Sequence, residues 1–172
     1  IGASVPRRGN AITAWLAQML LRVAGWRVIG VVTDAPSFII IGAPHTSNWD
    51  FILVMLTAAQ CKVRVSWMGK HTLFTGLKGR LLRWLGGVPV HREAAQGIVG
   101  DTVAAFQEVE QLVLCITPEG TRSGEANWKS GFHRIAREAQ VPILLAAFDY
   151  RNKVVWLGPT IQAGEDYEAD LA

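Results

Sequence analysis

The sequence predicts an α/β fold: one layered domain, a mostly parallel central sheet flanked by helices, with an N-terminal amphipathic helix. Three observations carry this. Unbroken apolar runs such as Phe38-Ile39-Ile40-Ile41 and Leu112-Val113-Leu114-Cys115-Ile116 read as strands buried on both faces. Longer stretches with apolar residues three and four apart read as helices. The two kinds alternate through the middle of the chain, an order that produces right-handed crossovers and a layered sheet. At 172 residues the chain is long enough to bury a real core.

Residues 1–10 read as a flexible basic arm. In 11–24, Ile12, Trp15, Leu16, Met19, Leu20 and Val23 share one helix face. Two readings of that face fit equally: packing on the core, or lying in a membrane interface with Trp15 at headgroup level. Trp26–Val32 and Phe38–Ile41 read as strands joined by the turn-like Thr33-Asp34-Ala35-Pro36. A helix over about 48–61 is apolar on nearly every side, so it is either central or partly in lipid. Val63–Met68 is a further strand. Residues 71–85 have a helical pattern with Lys70, Lys78, Arg80 and Arg83 on or beside it, either a solvated basic face or a contact for anionic headgroups. A strand at Gly87–His91, a helix at 95–110, the buried strand 112–116 and a helix over 129–139 follow. Strands 142–149 and 153–157 close the pattern as a hairpin around Arg151-Asn152.

Charge is unevenly placed. Residues 1–160 hold all 17 Lys and Arg but 10 of the 14 acids, a balance of +7. The rest of the acids sit in 160–172, which reads as a solvated, frayed tail. A basic body with seven tryptophans implies an anionic partner. No nucleic-acid motif is present, and the basic residues are spread among apolar helices, which argues against nucleic acid and for an anionic membrane surface. No apolar stretch reaches the roughly 18–20 residues needed to span a bilayer. The start, Ile1-Gly2-Ala3-Ser4, does not read as a secretory signal, and an anchor upstream stays open. Cys61 and Cys115 lie in apolar runs and read as reduced core residues of a cytosolic protein. The expected location is therefore peripheral, on the cytoplasmic face of a membrane.

In open parallel sheets, ligands bind beyond the carboxyl ends of the strands. Three polar loops directly follow strands: 43–50, 91–95 and 117–124. They bring His45 with Asp50, Arg92, and Glu119 with Arg122. Within one helix, His45 and Asp50 would point about 140° apart and could not meet. They meet if His45 lies in the loop and Asp50 in the first turn of the helix. Thr46, Ser47 and Asn48 are all good N-cap residues, so a helix start between the two is expected. Asp50 would then hold one imidazole nitrogen while the other faces a substrate. The paired arginines suit phosphate, and Gly120 and Gly124 permit close backbone approach. Taken singly, each residue has a plainer explanation. His45 could be a surface residue, Arg92 could pair with Glu93, and Glu119 could satisfy backbone N–H groups in its turn. Their placement in order at strand ends argues for a site. The His, Asp and Glu residues lack metal-ligand spacing, so no metal is expected.

Four blocks of sequence resemble the glycerophospholipid acyltransferase family, the PlsC-like enzymes. His45 to Asp50 matches its H-x4-D motif. Gly86-Gly87-Val88-Pro89-Val90-His91-Arg92 resembles its arginine block, Pro118-Glu119-Gly120-Thr121-Arg122-Ser123 matches its P-E-G-T-R-S block, and Val141-Pro142-Ile143 resembles the start of its fourth block. Pro44, Pro89, Thr117 and Leu145 depart from residues common in the family but leave the motif positions intact. The resemblance implies transfer of a fatty acyl chain from acyl-CoA or an acyl carrier protein to the free hydroxyl of a lysophospholipid, 1-acyl-glycerol-3-phosphate first. It gives His45 and Asp50 the role of general base pair. Arg92, Glu119, Gly120, Thr121 and Arg122 would bind the acceptor, with Lys129 a further phosphate candidate. It implies no cofactor beyond the acyl donor. Glycerol-3-phosphate or a lyso-aminolipid could replace the acceptor. Hydrolysis of the thioester, or anionic-lipid binding without catalysis, are the readings outside acyl transfer.

Overall fold

The computed structural model describes residues 4–90, 95–120 and 128–171. Its centre is a seven-stranded sheet in the order β1-β7-β6-β2-β5-β3-β4. The strands are β1 (Arg27–Gly30), β2 (Phe38–Ala43), β3 (Val65–Lys70), β4 (Gly87–Val90), β5 (Val113–Ile116), β6 (Ile143–Asp149) and β7 (Val154–Ile161). The helices are α1 (Ala11–Val23), α2 (Trp49–Gln60), α3 (Gly76–Trp84), α4 (Ala95–Glu108), α5 (Gly131–Ala139) and the short α6 (Tyr167–Leu171).

β6, β2, β5, β3 and β4 are mutually parallel, as the alternating sequence predicts. β7 returns antiparallel beside β6, the expected hairpin, and β1 joins β7 in parallel at the edge. β1 and β2, consecutive in the chain, are therefore separated by two strands.

Residue alternation along each strand sorts the core into two layers. Ile39, Ile41, Leu114 and Ile143 face α4 and α5, meeting Val99, Phe106, Phe132 and Ile135. Phe38, Val113, Cys115 and Leu144 face the other way, toward Val54 and Ala58 of α2. α1 packs on α2, with Leu21 and Leu53 joined to Phe148 and Val155.

α1 begins as a capping box. Asn10 accepts the N–H groups of Ile12 and Thr13, and the Thr13 hydroxyl accepts the N–H of Asn10. Its apolar stripe is turned outward. Only Ala17 and Leu21 are buried, whereas Ile12, Trp15, Leu16, Leu20 and Val23 are exposed. Core packing of that stripe, one of the two sequence readings, is thereby corrected. No helix among the described residues is long and apolar enough to cross a membrane.

Three further expectations change. From Ser4 on, the 1–10 stretch is not a flexible arm: Val5 is buried in the core, the Arg8 N–H donates to Lys62 O at 3.1 Å and the Arg64 N–H to Pro6 O at 2.8 Å. The 71–85 helix is divided into a 3₁₀ turn at His71–Leu73 and α3. Gly79 of α3 lies so close to Phe74 that a Cβ there would sit 2.2 Å from its carbonyl carbon. The tail is not a frayed end. β7 runs to Ile161, and α6 docks against α5. The Tyr167 hydroxyl donates to Trp128 O at 2.9 Å, and Asp170 Oδ2 lies 2.7 Å from His133 Nε2 while accepting the Gly164 N–H. Its acids carried no apolar stripe, and their partner lies 37 residues away in sequence.

Candidate active site

Because β6, β2, β5, β3 and β4 run the same way, their carboxyl ends lie along one edge of the sheet. Register places the loops side by side. Ala43 of β2 pairs with Ala147 of β6, so His45 and Tyr150 follow neighbouring strand ends. Ile41 pairs with Ile116 of β5, which brings Glu119 to the other side of the same loop.

Asp50 lies in the first turn of α2 and is 2% exposed. Its Oδ2 lies 3.0 Å from His45 Nδ1 and accepts the backbone N–H groups of Thr46 and Ser47, each at 2.8 Å. Its Oδ1 accepts the hydroxyl of Tyr150. Glu119, 4% exposed, accepts the backbone N–H of His45 at 2.7 Å. One buried carboxylate thus fixes the main chain of His45 and another meets its ring.

The helix start between His45 and Asp50 is present, but it works in reverse of the expected cap. Asn48 is the N-cap and makes no side-chain cap bond. Ser47 Oγ accepts the Trp49 N–H at 3.0 Å. The carboxylate that closes the turn is Asp50 itself, reaching back to two amides. It sits at the positive end of the helix dipole, where a negative charge is favoured.

Gly120 has a φ of +67°, a left-handed conformation that suits glycine. The side chain of Lys129 lies alongside it, with Nζ 3.1 Å from where a Cβ on residue 120 would stand. The Lys129 N–H also donates to Pro118 O at 2.9 Å, tying the start of α5 to this turn. Of the sequence-predicted site residues, His45, Asp50, Glu119, Gly120 and Lys129 are described at this edge. Arg92, Thr121 and Arg122 lie outside the described residues, as does Gly124.

Tyr150 was not singled out by sequence reasoning. Its signal is positional, since it directly follows β6, which adjoins β2. Local desolvation of the hydroxyl, and then its hydrogen bond to Asp50, raises the pKa of the phenol, although the residue as a whole is exposed. Neither cysteine offers a ready nucleophile: burial pushes the Cys115 thiol up to about 12, and Cys61 is also raised by burial.

A family model described as Acyltransferase matches residues 31–148, more than half of the chain. The chain belongs to the acyltransferase family. The matched span holds His45, Asp50 and Glu119 and ends at Phe148, two residues before Tyr150. The fold of this acyltransferase is similar to the crystal structure of the 1-acyl-sn-glycerophosphate acyltransferase PlsC from Thermotoga maritima. The likeness has a TM-score of 0.62 at 15% identity and covers 91% of this chain and 71% of that one. Among curated proteins nothing matches the acyltransferase.

Proposed function

We propose that this acyltransferase moves a fatty acyl chain from an acyl-CoA or acyl carrier protein thioester to the free hydroxyl of a lysophospholipid, 1-acyl-glycerol-3-phosphate foremost. The observation that carries the reading is the contact of His45 Nδ1 with the buried Asp50 at 3.0 Å. A carboxylate on Nδ1 favours the tautomer with its proton there, which makes Nε2 the proton acceptor. Nε2 takes the acceptor's hydroxyl proton as the oxygen attacks the thioester carbonyl. The new C–O bond forms, the C–S bond breaks, and the imidazolium returns the proton to the leaving thiolate. Direct transfer agrees with the state of the nearby nucleophiles: Ser47 Oγ is engaged with the Trp49 amide, and Cys115 is buried.

Arg92, Thr121 and Arg122 are proposed on their motif positions as holding the phosphate, with Gly120 and Lys129 as further acceptor contacts. A narrow apolar cavity supports an acyl site. Val54, Thr57 and Ala58 of α2 face Gly42, Cys115 and Ala146 of the sheet across it. Gly42, which lines the cavity, is three residues before His45.

An anionic membrane surface is the proposed partner. Trp15, Leu20, Trp49, Leu77 and Trp84 are exposed large apolar side chains, and Lys78 and Arg80 sit on α3 among them. The test is release of free thiol from an acyl thioester by purified protein. Release is expected only with a lyso-acceptor present, and His45→Ala should abolish it while circular dichroism stays unchanged. Undiminished activity in that variant would exclude His45 as the base.

A further inference from the structure

Tyr150 stands outside the proposed chemistry, yet it completes the surroundings of Asp50. The carboxylate is buried, and a buried charge is tolerated only when its lone pairs are satisfied. Oδ2 is occupied by two amides and the His45 ring, all from within 45–50. That local loop alone does not engage Oδ1. The donor to Oδ1 is the Tyr150 hydroxyl, 100 residues further along the chain.

Tyr150 is itself braced. The turn that carries it is closed by Asp149, whose Oδ1 accepts the Asn152 N–H at 2.8 Å and whose Oδ2 accepts its side-chain amide at 2.7 Å. The ring stands edge-on to Trp26, with centroids 5.1 Å apart. Trp26 is buried and is tied to the end of α1 by its N–H to Leu21 O at 2.8 Å. The phenol therefore approaches Asp50 from a fixed direction. A phenol is protonated at neutral pH and so donates to the carboxylate.

We propose that Tyr150 is a positioning residue: its hydroxyl locks the Asp50 carboxylate and, through it, holds the His45 imidazole in the orientation that acyl transfer requires. The inference rests on the reading of His45 as base. Without the phenol, Oδ1 has no donor and the carboxylate is held through Oδ2 alone, so its tilt against the His45 ring is no longer fixed from both sides. The loss of a hydrogen bond to an ionised group sets the expected effect at about 10–100-fold in rate.

The experiment compares wild type, Tyr150→Phe, Asp50→Asn and the double variant in the acyl-transfer assay. Phe keeps the ring against Trp26 but leaves Oδ1 without its donor, so the melting temperature should fall by a few degrees, and both arms are read below that transition. Should Phe fail to fold, Tyr150→Met carries the same readouts. Tyr150→Phe should lower kcat about 10–100-fold while KM for the thioester stays within about twofold. In the Asp50→Asn background the same change should cost nothing further, because the partner through which it acts is gone. A kcat within about twofold of wild type, or an equal loss in both backgrounds, would overturn the inference and leave the His45 reading standing. A second arm needs no substrate. Nitrogen NMR of the four histidines, with His45 assigned through His45→Ala, should show one tautomer at His45 in wild type and a mixture in Tyr150→Phe. An unchanged His45 signal would likewise overturn it. Absence of acceptor-dependent transfer by wild type would instead sink the reading itself, and the NMR arm would still decide the role of Tyr150.

Discussion

At the scale of single residues, two buried carboxylates divide the work of holding His45. Asp50 meets its ring and Glu119 meets its backbone N–H. Sequence reasoning gave Glu119 to the acceptor, and that role and the hold on His45 are separable. Glu119→Gln keeps an oxygen that can accept the His45 N–H. Glu119→Ala removes it and leaves that amide unpaired, a cost of about 1–3 kcal/mol. For a chain of this size the alanine variant should melt several degrees lower, at about 2–4 °C per kcal/mol, and the glutamine variant should melt close to wild type. The alanine variant should also lose about tenfold or more in kcat as the loop loosens. Thermal melts read beside the transfer assay check this. Equal activity losses with both melts unchanged would return Glu119 to the acceptor. His45, Asp50 and Glu119 were legible because each lies at a strand end in a recognisable block. The Glu119–His45 and Tyr150–Asp50 contacts were not, because both depend on which strands lie beside β2. Strand order arises from packing over 74 and 100 residues of separation, which no local pattern encodes.

At the scale of elements, α1 illustrates how far periodicity reaches. Its spacing gave the helix and its apolar stripe within a residue of the observed Ala11–Val23. It could not say which way the stripe turns, because a stripe is the same whether its partner is a sheet or a lipid. In the fold the small Ala17 and one leucine face α2, and the tryptophan stripe faces out. Exposed side chains contribute little to folding, so membrane binding can be tested without unfolding the protein. Trp15→Ala with Leu20→Ala should weaken partitioning onto vesicles of mixed neutral and anionic phospholipid by about tenfold or more. The estimate follows from about 1.5–3 kcal/mol for burying each large side chain. The melting temperature should stay within about a degree, since neither residue is buried. Added salt should weaken wild-type binding through the basic residues and spare the apolar part. Sedimentation with vesicles measures both effects, and binding unchanged in the double variant would remove α1 from the membrane face.

At the scale of the whole molecule, the parallel sheet joins the two halves of the proposed reaction. The polar edge of the sheet gathers His45, Asp50, Glu119 and Tyr150, and the face under α2 holds the apolar cavity. Gly42 belongs to both, since it lines the cavity and lies three residues before His45. The layered fold was legible from alternating strands and helices. The apolar 48–61 helix was legible, but the cavity beside it was not, because its far wall comes from β2, β5 and β6 together. A Cβ at position 42 would stand 3.7 Å from the Phe148 ring and 4.0 Å from Cys115 Sγ, ordinary contacts that the fold can accept. Gly42→Ala should therefore fold normally and narrow the cavity where β2 lines it. Ala58→Leu would fill it further along α2. If the cavity holds the acyl chain, both variants should shift preference toward shorter donors. A buried methylene is worth about 0.8 kcal/mol, so discrimination should change several-fold for each methylene displaced. A series of acyl thioesters of increasing length, assayed with one acceptor, reads this directly as kcat/KM against chain length. The two variants should move the optimum by different amounts, because they obstruct different depths of the cavity. A profile that keeps its optimum in both while the melting temperature is unchanged would place the acyl chain elsewhere, on the exposed apolar surface of α1 and α3.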